Sequence, residues 1–156
     1  MIWVSELRPS TLIFSLYHFP GWGDVSFHGS HQIPTPSIDL LASSGVVLHN
    51  YYVSPICSPS RAALLTGLHP IRTGMQVGVI SAPQPYGLHP NFTTLGDHFR
   101  ALGYQTHLVG KWHQGFFRTE YMPTRRGFDS HFGYMTGRGD YFDRVDFDQY
   151  AGYDLY

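Results

Sequence analysis

The 156-residue chain is predicted to be an α/β protein, with a mostly parallel or mixed sheet flanked by helices. Three observations point there. Strand-like and helix-like segments alternate; the helical ones are short and closed by caps and glycines; and 17 Gly, 11 Pro, 11 Tyr and 11 Phe favour turns and aromatic packing over long helices. The length suits one hydrophobic core and is short for two domains.

In order along the chain, residues 11–16, Thr-Leu-Ile-Phe-Ser-Leu, read as an opening strand. Gly21-Trp22-Gly23-Asp24 and Gly29-Ser30 are turn-rich. Thr35 can cap a helix with Pro36 in its first position, an apolar face of Ile38, Leu41 and Ala42, and a stop at Gly45. A Val/Tyr-rich strand is expected over 46–53, ended by Pro55. That places Cys57 just beyond a strand end. Ala62-Ala63-Leu64-Leu65 predicts a helix over 61–66, stopped by Gly67, with Ser60 available to an early amide. Residues 68–90, with four Pro and three Gly, read mostly as an excursion over the surface. Thr94 and Asp97 form a capping-box pair before the stripe Leu95, Phe99, Leu102, and Gly103 ends it. A strand over 104–109 follows, so Lys111 and His113 emerge from a strand end, where open α/β sheets carry their sites. Arg125-Arg126-Gly127-Phe128-Asp129 reads as a charged turn, and 134–156 lacks helical periodicity.

Ten Lys and Arg against eleven Asp and Glu give a formal charge of -1, which excludes a nucleic-acid or anionic-membrane partner held by a basic field. No run reaches the roughly 18 apolar residues of a transmembrane segment. The apolar start at 11–16 lacks the basic flank and small-residue cleavage site of a convincing signal peptide. Asn91-Phe92-Thr93 satisfies the glycosylation sequon, which matters on the secretory route.

Cys57 is the only cysteine, so it cannot close an intrachain disulfide. Burial, metal ligation, reactivity and modification remain open from the residue alone. A structural zinc site lacks partner cysteines. A helix N-terminus and Arg61 would give the thiol a positive field, which argues against inert packing. Arg61 lies one helical turn on and is directed back to Cys57.

The run Cys57-Ser58-Pro59-Ser60-Arg61-Ala62-Ala63-Leu64-Leu65-Thr66-Gly67 strongly resembles the sulfatase signature. Gly21-Trp22-Gly23-Asp24, Thr35-Pro36-Ser37-Ile38-Asp39-Leu40-Leu41, Gly110-Lys111-Trp112-His113 and Pro123-Thr124-Arg125-Arg126-Gly127-Phe128-Asp129 extend the resemblance in order from about residue 20 onward. It is closest to the N-terminal part of the arylsulfatase B-type branch, which includes arylsulfatases I and J. The resemblance implies a partial alkaline-phosphatase-like fold and sulfate-ester hydrolysis, on an aryl sulfate or a sulfated carbohydrate such as a glycosaminoglycan. It implies conversion of Cys57 to formylglycine by the formylglycine-generating enzyme. The hydrated aldehyde supplies the nucleophilic hydroxyl, and its second hydroxyl expels sulfate, a step that unmodified cysteine cannot perform. By the same pattern Cys57 and Arg61 are catalytic, Lys111 binds a sulfate oxygen, and His113 donates to the hydrate or sulfate when protonated. Family resemblance also implies a lysosomal or extracellular destination and glycosylation at Asn91.

The family's calcium is held by the formylglycine and by carboxylates, beginning with two successive aspartates before the Gly-Trp segment. Here that pair is His18-Phe19, and the later metal ligands and sulfate-binding residues have no counterpart, which puts metal retention in doubt. The acidic turns at Asp140, Asp143, Asp146 and Asp148 are no substitute. The expected organisation is an atypical segment over 1–19, with a first strand, and an incomplete N-terminal sulfatase domain over 20–156. The alternative function is a catalytically inactive sulfatase-like fragment that binds a sulfated glycan or another partner, or has no independent function, and the isolated chain is expected to show little or no turnover.

Overall fold

The computed structural model describes residues 2–8, 11–16, 21–146 and 152–156, which fall in two compact units, 1–52 and 53–156. His18 and Phe19 lie outside the described residues.

In the first unit, β1 (Ile2–Arg8) and β2 (Thr11–Leu16) pair antiparallel from Ile2 opposite Leu16 to Arg8 opposite Thr11. The opening strand is therefore present, but its partner is a local hairpin strand. Two single 3-10 turns, Trp22–Asp24 and Ser26–His28, follow. Asp24 is spent locally, accepting the Gly21 amide at 2.6 Å. Helix α1 (Pro36–Ser44) starts with proline as expected, but Thr35 does not cap it through its side chain. Its hydroxyl instead accepts the Ser26 amide at 2.9 Å, while Ser26 Oγ accepts the Thr35 amide at 2.8 Å. This reciprocal pair ties the turns to the helix start.

The strand expected over 46–53 does not form. Val46 and Tyr52 are each 88% exposed, and among the described residues no neighbouring strand offers that segment a ladder. β-Branched and aromatic residues favour a sheet only where one exists to pack on.

The second unit begins with α2 (Cys57–Thr66), one turn longer at its start than its apolar residues suggested, and ends at Gly67 in the left-handed conformation. Helix α3 (Pro70–Thr73) comes next. Most of 68–90 does run over the surface, with Ile71, Val77 and Tyr86 exposed, but Met75, Ile80 and Leu88 from this segment turn inward and join Ala62 of α2 in the buried core, with Phe92 packed against it. Helix α4 (Leu95–Ala101) opens with the expected capping box, the Asp97 amide bonded to Thr94 Oγ1 and the Thr94 amide to Asp97 Oδ2.

Strand β3 (His107–Val109) is shorter than expected and pairs parallel with β4 (Ser130–Phe132), His107 opposite Ser130. Short β5 (Val145–Asp146) and β6 (Gly152–Tyr153) pair antiparallel. The turn between β3 and β4 is anchored by Arg126, which is no surface cation. At 2% exposure its guanidinium donates to the carbonyls of Leu88, His89 and Phe92. Burial lowers its pKa, yet three carbonyl acceptors offset the lost water.

Candidate active site

Cys57 occupies the first position of α2, preceded by extended Ile56, which makes no side-chain cap. The first turn's unpaired amides give this position a positive field. An irregular approach segment, not a strand, delivers it there. Ser60 was expected to serve an early helix amide, but its hydroxyl donates to Ser54 O at 2.6 Å and fastens that approach.

One turn along, Arg61 donates to Lys111 O at 2.5 Å, a link across 50 residues of sequence. Its Nε is buried with no partner among the described residues, and burial lowers its pKa while Tyr134 and Cys57 oppose the shift. Lys111 follows β3 by two residues and is 8% exposed. Its ammonium donates to Gly137 O at 2.7 Å and interacts electrostatically with Cys57. Burial again lowers its pKa, Cys57 raises it, and Arg61 lowers it. Two desolvated cations thus converge on the first turn of α2, so an anion placed there would find both with little competing water.

His113 is 3% exposed and has φ 54, the left-handed region that histidine enters seldom. Its conformation is held from both sides. The backbone amide donates to Met135 O at 3.0 Å, and Nε2 donates to Ile80 O at 2.7 Å. The neutral ring therefore carries its proton on Nε2, leaving buried Nδ1 as a bare acceptor. Burial lowers its pKa to about 4, with Lys111 and Arg61 adding to the shift and Ile80 O and Asp146 opposing it. The proton-donating role that the sequence suggested needs a charge that this environment disfavours. In this state Nδ1 is a hydrogen-bond acceptor.

A stability consequence follows from that pKa. Above about pH 6.5 the ring is neutral in folded and unfolded chains alike. Between that value and about 4 the unfolded chain takes up a proton that the folded one refuses, so stability is lost as pH falls, by about 3 kcal/mol in all. Urea titrations at pH 7 and 4.5 on the wild type and His113→Asn check this. A slope of stability with pH that is identical in both proteins sinks it.

Residues that sequence reasoning missed complete the site. Gln114 is fully buried and donates to Ser58 O at 2.9 Å and His113 O at 2.7 Å. Ser58 Oγ accepts the Ile80 amide at 3.1 Å, so the motif serine positions the carbonyl that holds His113. Tyr134, whose pKa is raised by burial, interacts electrostatically with Arg61. Gly137 lies so close to His113 that a Cβ there would stand 2.8 Å from Cε1. The Gly-Tyr-Met-Thr-Gly run just after β4 was the available signal for this loop. Asn91 lies apart from these groups, exposed in a turn where its amide meets His89 Nδ1.

Among the described residues no group of three or more His, Cys, Asp or Glu is arranged to hold a metal. The groups gathered on Cys57 are Arg61 and Lys111, a donor set that suits an anion and does not fit calcium, which needs several oxygens.

A family model described as sulfatase matches residues 17–154. Arylsulfatase J of Mus musculus is 49% identical over 147 residues, covering 93% of this chain and 24% of its own length. N-acetylgalactosamine-6-sulfatase of Homo sapiens is 37% identical over 134 residues, 81% of this chain and 26% of its own. Among solved structures, that of Ps i-CgsB superposes with a TM-score of 0.74 at 38% identity, covering 79% of this chain and 27% of its own. The chain thus spans about a quarter of the length of the curated relatives it matches. These likenesses, with the parallel β3–β4 pair and its helices, bear out the α/β, sulfatase-type fold class expected from the sequence.

Proposed function

Because the chain belongs to the sulfatase family, we propose that it contributes the cysteine-bearing part of a site that hydrolyses sulfate esters of an aryl or carbohydrate substrate. The observation that carries this reading is the convergence of half-buried Arg61 and buried Lys111 on Cys57 at the start of α2. Formylglycine at position 57, when formed, supplies an oxygen nucleophile through its hydrate and a second hydroxyl that expels sulfate. Lys111 neutralises a sulfate oxygen, Arg61 holds the polar groups at position 57 in place, and His113 Nδ1 accepts a hydroxyl proton. Gln114 and Ser58 keep that ring oriented.

A sulfated carbohydrate is the preferred substrate class, supported by the sulfated-sugar name of N-acetylgalactosamine-6-sulfatase and by a solved complex of Ps i-CgsB with a neocarrahexaose. Passage through the secretory route, toward a lysosomal or extracellular destination, accords with the exposed Asn91 sequon and with the need for a formylglycine-generating enzyme. Among the described residues no helix is long and apolar enough to cross a membrane. A second reading, sulfated-glycan binding without turnover, draws on the donor set that does not fit calcium.

Mass spectrometry of the chain co-expressed with a formylglycine-generating enzyme is expected to find the aldehyde at Cys57. The converted protein, assayed on 4-nitrophenyl sulfate beside Cys57→Ala, separates the readings. Hydrolysis that disappears in the variant supports catalysis. Retention of a sulfated oligosaccharide without hydrolysis supports binding alone, and activity equal in both proteins defeats the assignment of Cys57.

A further inference from the structure

We propose that Asp154 is a positioning residue for the cationic site, its carboxylate fixing the 134–137 loop against Lys111 and His113. Oδ1 accepts the Met135 amide at 2.8 Å, and Oδ2 accepts the Thr136 amide at 2.9 Å and the Thr136 hydroxyl at 2.5 Å. Three donors from two successive residues thus end on one buried carboxylate, a charge-assisted arrangement with a defined direction. Asp154 is itself anchored, its amide donating to Arg144 O at 2.8 Å, while Gly133 and Tyr156 exchange backbone bonds at 2.8 and 2.9 Å.

From the opposite side the same loop meets the site. Tyr134 O and Met135 O accept the Trp112 and His113 amides, and Gly137 O accepts the Lys111 ammonium. Gly137 also presses on the His113 ring closely enough that no Cβ fits. The loop is therefore a plate held by Asp154 on one edge and touching both Lys111 and His113 on the other. Thr136 and Asp154 also line a cavity of about 270 Å³ with Phe116 and Tyr153, which leaves the loop room to relax once the carboxylate is gone.

What the plate positions Lys111 and His113 to do rests on the sulfate-ester reading; the positioning itself does not. It is measured on the unmodified thiol chain, with no conversion and no turnover, so its failure is separate from failure of that reading. The readout is the His113 side-chain titration by NMR. Its folded value of about 4 owes first to burial; Lys111 and Arg61 act in the same direction and Asp146 against it. Releasing the plate admits water to the ring.

Asp154→Asn replaces one acceptor oxygen by a donor facing donors, and is expected to raise the His113 midpoint by at least about one unit toward its free value. Thr136→Val removes only the hydroxyl and is expected to raise it by about half as much. Tyr104→Leu, which loosens the edge contact with Phe99 and leaves the loop alone, serves as the stability control and is expected to leave the midpoint in place. An unmoved midpoint in folded Asp154→Asn overturns the proposal, as does an equal shift in Tyr104→Leu. Should Asp154→Asn not fold, an unmoved midpoint in Thr136→Val has the same force.

Discussion

In protein carrying formylglycine at position 57, Lys111→Ala is expected to slow sulfate-ester hydrolysis by about 10²- to 10³-fold, the loss typical of one preorganised donor to a developing anion. The effect is large because the ammonium is nearly removed from water and stands beside position 57 with Gly137 O as its fixed acceptor. Folding stability is expected to change far less. Burial disfavours this charge, as the lowered pKa records, so removing it relieves a desolvation cost that offsets the lost hydrogen bond. Lys111→Arg keeps the charge and brings a wider planar head into a space closed by Arg61 and Gly137, so it is expected to recover only part of the rate. Initial rates on 4-nitrophenyl sulfate, with urea titrations of the same proteins, check both halves. A variant that loses stability in proportion to activity would mean that Lys111 serves the fold rather than the reaction.

The second large effect concerns the fold beneath the site. Gly127→Ala is expected to cost more than about 4 kcal/mol and to leave the second unit without cooperative folding. Gly127 has φ 83, and a Cβ there would overlap the backbone of Gly96 and Asp97 at the start of α4. Backbone atoms cannot swing aside as a side-chain tip can. The contact is locked further by Thr94 Oγ1 on Arg126 O at 2.8 Å and Thr106 Oγ1 on Gly127 O at 2.6 Å. Gly103→Ala provides the comparison, since Gly103 has φ 86 with nothing within 4 Å of a Cβ. It should cost only about 1–2 kcal/mol, the price of the left-handed backbone alone. Circular dichroism melts of the two variants separate conformation from close approach, and equal losses in both would refute the packing argument.

Position 127 also indicates how legible the chain was. Sequence patterning identified α1, α2 and α4 because their signals are local: proline at a first position, a Thr94–Asp97 capping box, a left-handed Gly67. It overextended β3 and placed a strand at 46–53 because strand formation depends on partners that adjacent residues do not specify. It sent 68–90 mostly to the surface, where much of the segment runs, but Gly and Pro content reports turns and does not reveal which residues between them face inward. Met75, Ile80 and Leu88 are core residues nonetheless.

The residues themselves determined which chemistry was on offer: a lone cysteine, an arginine one helical turn later, and a lysine and histidine two apart beyond a strand. Helical periodicity and strand-end placement are enough to nominate such groups. Only the tertiary structure decided their states. Arg61 and Lys111 were joined across 50 residues of sequence, His113 was stripped of water and turned to present a bare Nδ1, and Asp154 and Gly137 were brought in from a segment with no pattern of its own. The reason is that protonation and orientation follow from burial and from carbonyls contributed by distant segments, and these exist only once the backbone has closed around the site.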